Sequence, residues 1–209
     1  MSDRRRAIAS LPRRVVGTAA VGVLAVAAVI AGVLAASASG TSGSSPARAF
    51  GLPAAGSAPA GWHRATLAGG AAVLAYPPVM QLVSSDRGAA SAAQLSSSGE
   101  YLLYLNATPK QGDESLRNWP QFRLGHLTDD DASSAHELAT ISGVRFLGGT
   151  GTCVKDDYVT KVGAHHFTEI ACFVQGRTSA SVIVAAAPTA SWASLSGLLG
   201  RAIAGYVVR

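Results

Sequence analysis

The sequence predicts an α+β fold: an N-terminal transmembrane helix, a flexible linker, then one domain with a central antiparallel sheet flanked by helices. Three observations carry this expectation. Residues 15–38 form an uncharged apolar run, residues 143–187 read as glycine-punctuated strands, and residues 191–207 carry an apolar stripe at helical spacing.

The chain has 209 residues, enough for one ordinary domain with extensions. It is 48% hydrophobic and 14% charged, which is charge-poor for a globular protein. The formal charge of +5 is unevenly placed. Residues 1–14 hold five arginines (Arg4, Arg5, Arg6, Arg13, Arg14) against one acid, Asp3, and form a basic cytoplasmic tail. The other 195 residues carry 12 basic and 11 acidic side chains, so the folded part is close to neutral. A nucleic-acid-binding domain needs basic surface on its fold, and none is implied here.

Residues 15–38 (VVGTAAVGVLAVAAVIAGVLAASA) hold 24 uncharged positions. As a helix they reach roughly 36 Å at about 1.5 Å per residue, enough for a hydrocarbon core of about 30 Å. The preceding arginines orient the N-terminus to the cytoplasm and the remainder outside, so the cell membrane is the first expected partner. A cleaved signal peptide, ending at the A-x-A site formed by Ala36, Ser37 and Ala38, is the alternative, although its apolar region would be unusually long. No cysteine lies near the segment, which argues against a lipoprotein anchor. Residues 39–61 are rich in Gly, Ser, Pro and Ala and read as a linker, with the extracytoplasmic domain spanning 62–209.

Within that domain, Trp62 to Pro78 reads as two short strands around a Gly69-Gly70 turn. Residues 84–99 read as a polar loop containing an alanine-rich stretch. Tyr101 to Leu105 is a buried strand that Asn106-Ala107-Thr108-Pro109 should end. Asn106 opens an N-x-T sequon, and the simpler role for its side chain is to cap the strand end. Asp113 to Leu124 suggests a helix, with Leu116, Trp119 and Phe122 on one face and Pro120 kinking it. Ser134 and Glu137 form a capping-box pattern for a short helix through Ala139, with Asp129, Asp130 and Asp131 favouring its N-terminus. These aspartates lack the alternating spacing of a calcium loop.

Gly143–Leu147, Cys153–Val162, His165–Gln175 and Ser179–Ala187 then read as consecutive strands. Ser191 to Val207 closes the domain as an amphipathic helix, with Trp192, Leu195, Leu199, Ile203 and Tyr206 along one stripe.

The two cysteines are the clearest chemical feature. If Val162-Gly163 is a two-residue turn, Cys153 lies nine residues before Val162 and Cys172 nine after Gly163. They then face each other at about 4.5–5.5 Å between Cα atoms, inside the disulfide range of about 4.4–6.8 Å. A disulfide between Cys153 and Cys172 suits an exported domain. The same register sets Asp156 opposite Glu169, an unfavourable pair of like charges that a bound cation, a nearby Lys155 or Lys161, or simple solvent exposure could relieve. No metal-binding set emerges, because His165 and His166 point to opposite sides of a strand, as do Asp156 and Asp157. No nucleophile elbow, P-loop or H-E-x-x-H motif is present, and nothing suggests a cofactor.

Several strings in order form a resemblance. They are the hairpin ending in AYPP, the strand leading into LNATPKQGDE, then Trp119, Phe122 and Arg123, then GVRFLGGTGTCVKDDYVT, HFTEIACFV and the closing tryptophan helix. Together they resemble exported or membrane-anchored actinobacterial proteins of unknown function with an organisation similar to the PsbP-like fold. That resemblance implies a central antiparallel sheet with helices on both faces, and an accessory or binding role with no catalytic residues to carry over. The first expectation is thus a non-enzymatic protein of the cell envelope that binds an unidentified envelope protein or ligand. Two alternatives stand beside it. One is a hydrolase of envelope material, which needs His126, His136, His165 or His166 to converge with a serine and an acid. The other is a secreted ligand-binding protein released near Ala38.

Overall fold

The computed structural model describes Ala47, residues 50–86 and residues 88–209. The basic tail, the apolar segment 15–38 and the cleavage site near Ala38 lie outside the described residues. No helix among the described residues is long and apolar enough to cross a membrane.

The described residues form an antiparallel, sheet-rich α+β domain with two α-helices. In chain order the elements are β1 (His63–Thr66), β2 (Ala72–Tyr76), β3 (Gln81–Val83), β4 (Ala90–Leu95), β5 (Tyr101–Pro109), α1 (Trp119–His126), β6 (Ala132–Phe146), β7 (Gly149–Thr160), β8 (His166–Gly176), β9 (Ala180–Pro188), α2 (Trp192–Ala204) and β10 (Val207–Val208). Seven strands make the main sheet in the order β3-β4-β5-β9-β8-β7-β6, and β1-β2-β10 make a small one. A parallel bridge between Leu147 and Val207 ties the two sheets together.

Each helix takes one face of the main sheet. Along β8 and β9, successive residues alternate between the faces. Ile170, Cys172, Ile183 and Ala185 join Leu199, Ala202 and Ile203 of α2 in the larger core. Ala171, Phe173, Val182 and Val184 join Trp119 of α1 on the other face. Leu199 and Ile203 are each 1% exposed, and burial of such side chains contributes about 1.5–3 kcal/mol apiece. Tyr206 is fully buried and donates its hydroxyl hydrogen to Ser181 Oγ at 2.8 Å. The layout implied by the resemblance, an antiparallel sheet with a helix on each face, is the one observed.

Several expectations are corrected. The packed domain begins before Trp62, because Leu52 is 3% exposed in the core and Gly56 N–H donates to the Ala204 carbonyl at 3.1 Å. The alanine-rich stretch is strand β4: Ala92 and Ala93 are fully buried, where a larger side chain would not fit as readily. β5 continues through Asn106 to Pro109, since β4 pairs with it through Ala107 and β9 through Pro109. The helix expected from Asp113 starts only at Trp119. Pro120 lies in its first turn, where a missing N–H costs nothing, and so opens the helix rather than kinking it.

The Ser134–Ala139 helix does not form. That segment is part of β6, which runs 15 residues along β7. A short capped helix is marginal by itself, whereas a strand here pairs with the otherwise open edge of β7. Asp129, Asp130 and Asp131 instead lie in a π turn, Leu127–Asp131, that continues the C-terminal end of α1. The closing helix stops at Ala204, and Val207 and Val208 pair with β2 instead.

Candidate functional site

The site begins with Trp119. Its indole is 2% exposed, donates Nε1–H to the Ala171 carbonyl at 2.9 Å, and lies 6.1 Å from the rings of Phe122 and Phe173. This pins α1 to β8. One helical turn on, Arg123 lies on the same helix face. Two residues back along β8, Glu169 lies on the same sheet face as Ala171. A turn of helix rises about 5.4 Å and two strand residues about 6.6 Å, so the two side chains meet. Arg123 Nε and Nη2 donate to Glu169 Oε1 and Oε2 at 2.6 and 2.8 Å. This two-pronged, charge-assisted geometry is the strong form of such a pair. The side chains are 12% and 1% exposed.

Asp156 stands directly opposite Glu169 in the β7–β8 ladder and is fully buried. Neither carboxyl oxygen has a hydrogen-bond partner among the described residues. Burial pushes this carboxyl up to about 9, the Glu169 charge adds to the effect, and Arg123 partly offsets it. Asp156 therefore keeps its proton at neutral pH. Burial alone would lower the basicity of Arg123, but the charge and hydrogen bonds of Glu169 outweigh it and keep the guanidinium charged. The sum is one cation, one anion and one neutral acid. The like-charge conflict expected between Asp156 and Glu169 is thus resolved by a proton on one and an arginine on the other.

Around this group lies an open groove of about 1050 Å³ on the α1 face. Helix α1 contacts β6, β7 and β8, and β5 extends beyond it as the opposite wall. Aromatic rings line both sides. Tyr101 and Tyr104 meet edge to face at 5.3 Å on β5, and Tyr158 stacks on Phe167 at 5.7 Å on β7 and β8. Burial pushes the Tyr104 and Tyr158 phenols above their ordinary range, so both remain neutral hydrogen-bonding groups. Behind Tyr104, Ser91 Oγ donates to Asn106 Oδ1 at 3.0 Å, which gives the sequon asparagine a partner within the sheet and not at a strand end.

The disulfide forms between Cys153 and Cys172, directly opposed as the register requires, with Cα atoms 4.0 Å apart. It lies on the α2 face, away from the groove. The turn differs from the two-residue expectation. Thr160 N–H donates to the His165 carbonyl at 2.9 Å, so Lys161–Ala164 form a four-residue loop symmetric about the same centre. The register is unchanged. Gly163, at φ 78°, supplies the left-handed backbone this loop needs.

His126, His165 and His166 line the groove, while His136 lies on β6 outside it. His126 Nδ1 is 2.9 Å from Asp130 Oδ2. Among the described residues no serine hydroxyl hydrogen-bonds to a histidine, so the convergence required for the hydrolase alternative is not seen. No cluster of three His, Cys, Asp or Glu among the described residues is placed to hold a metal ion. Arg123, part of the resemblance but not indicated by the strand register, is the partner that completes the site. The sequence carried only the demand for a cation beside Asp156 and Glu169; the docking of Trp119 on Ala171 is what selects Arg123 to meet it.

No protein-family model matches the chain, and no curated protein matches it. Among solved structures it is similar to cyanobacterial PsbP (CyanoP) from Synechocystis sp. PCC 6803, at 14% identity and a TM-score of 0.49, over 75% of this chain and 98% of that one. It is also similar to a protein of unknown function from Pseudomonas aeruginosa, at 11% identity and a TM-score of 0.42, over 71% and 97%. A third is LpqN, involved in cell envelope biogenesis of Mycobacterium tuberculosis, at 13% identity and a TM-score of 0.39, over 70% and 90%.

Proposed function

We propose that this protein is a non-enzymatic binding module held on the outer side of a membrane, where it receives a partner of the cell envelope in the groove beside α1. The groove carries the reading. Its volume of about 1050 Å³ is at the upper end of ligand-site sizes, and its walls are aromatic. Its floor is a neutralised ion pair that orients α1. The buried disulfide supports an oxidising compartment. The apolar run 15–38, with its arginine flank, supports a single-pass anchor with the domain outside.

The test is capture by chemical crosslinking in envelope extracts, comparing the full-length chain with a Tyr104→Ala variant. The reading expects a partner held by the wild-type chain and lost from the variant, with thermal melting showing that the variant still folds. Equal capture by both chains overturns the groove as the binding site.

A further inference from the structure

The charge of the groove differs from that of the domain around it. Residues 62–209 carry 11 acidic and 11 basic side chains. Six of those acids, but only two of those bases (Arg123 and Lys161), are among the described lining residues. Two of the six are satisfied internally: Glu169 pairs with Arg123, and Glu114 accepts backbone N–H groups from Gln111 and Gly112 at 2.7 Å. Lys161 donates to the Asp129 backbone carbonyl at 2.6 Å and keeps its charge, which offsets one of the four remaining acids. The floor is therefore neutral and the acidic excess lies at the rim.

The rim acids lie on opposite sides. Glu100 is exposed immediately before β5, where Ser98 Oγ donates to it at 3.4 Å, while Asp130, 2.9 Å from His126 Nδ1, and Asp131 are exposed in the π turn just before β6; Asp86 is the remaining acid of the lining. In the sheet order β5-β9-β8-β7-β6 these positions are separated by about four strand spacings, roughly 19 Å at about 4.8 Å each. A single small cation cannot meet both. An extended peptide advances about 3.3 Å per residue, so two basic side chains four to six residues apart can reach both sides. The residues between them would lie over Tyr101, Tyr104, Tyr158 and Phe167, where apolar or aromatic side chains find rings to pack on.

On the basis of the binding reading above, we propose that the groove's occupant is an extended polypeptide segment of the partner. Two lysine or arginine side chains, four to six residues apart, engage Glu100 on one rim and Asp130 and Asp131 on the other. Apolar residues fill the space between.

The experiment titrates the full-length protein with a blocked peptide carrying two lysines five residues apart with tyrosine and leucine between. The comparisons are the same peptide with both lysines replaced by norleucine, and the polyamine spermidine. The dilysine peptide binds, and the norleucine peptide binds at least tenfold more weakly. Glu100→Gln and Asp130→Asn/Asp131→Asn each weaken the dilysine peptide about threefold, the range of solvent-exposed charge pairs, and together about tenfold. Unchanged affinity in the rim variants, with unchanged melting, overturns the proposal. So does spermidine binding as tightly as the dilysine peptide. Capture of a partner that depends on Tyr104 but has no such basic segment overturns the peptide chemistry and leaves the binding reading standing. Loss of Tyr104-dependent capture removes both.

Discussion

Asp156 faces Glu169 across β7 and β8, both fully buried, and of the two Glu169 alone has a hydrogen-bonded partner among the described residues. Two acids share one cation, and a proton makes up the difference. Removing that cation leaves Glu169 buried and unpaired, which typically costs 3–5 kcal/mol. Arg123→Met is therefore expected to lower the unfolding free energy by about 3–5 kcal/mol in chemical denaturation. Arg123→Met/Glu169→Leu should recover most of the loss, because the uncompensated charge is gone.

The same pair sets a pH dependence. The folded-state pKa of Asp156 is raised to about 9 from an ordinary value of 3.8, so between these limits the folded chain holds a proton that the unfolded chain releases. This contribution to stability is full below about pH 4 and falls as pH rises, by at most about 1.4 kcal/mol per unit, until about pH 9. Asp156→Asn cannot lose a proton. Its stability relative to wild type is expected to rise by about 2–4 kcal/mol between pH 5 and pH 8, measured by urea denaturation at both values.

The disulfide is a separate source of stability on the opposite face. It closes a loop with a sequence separation of 19 residues. In the chain-entropy account such a loop contributes about 3 kcal/mol. Cys153→Ala/Cys172→Ala is expected to lose about that much, and reduction of the wild-type chain should produce a similar shift in denaturation midpoint.

The junction of the two sheets depends on Gly148. Its backbone is left-handed, at φ 90°, and an added Cβ would collide with the Val208 carbonyl oxygen. Both the conformation and the close approach exclude a side chain. Gly148→Ala is expected to destabilise by more than about 2 kcal/mol, with enhanced hydrogen exchange at Val207 and Val208 as the local readout.

The parts of this fold written in local pattern were legible. Runs punctuated by glycines marked β7, β8 and β9 as strands, and the Cys153–Cys172 and Asp156–Glu169 pairings followed from symmetry about one turn. That symmetry survived a turn of different length, because the loop grew by one residue on each side. Local pattern misled where a neighbour decided the outcome. Ser134 and Glu137 carry a sound helix-start signal, but the open edge of β7 claims that segment as strand β6. The alanines of β4 carry little strand preference and are strand because β3 and β5 pair with them. Arg123 was hidden for a related reason. Its partner lies 46 residues away, and only the docking of Trp119 on Ala171 sets the distance between them.

The groove beside α1 is the proposed seat of the partner. A photo-crosslinking residue placed at Leu102, which is 38% exposed and lines the groove, tests it most directly. The control is the same residue at Leu138, which is 51% exposed on β6 and outside the groove. In envelope preparations an adduct is expected from Leu102, abolished by Tyr104→Ala, and none of that mass from Leu138. The same adduct from both positions, or one from Leu138 alone, would contradict it.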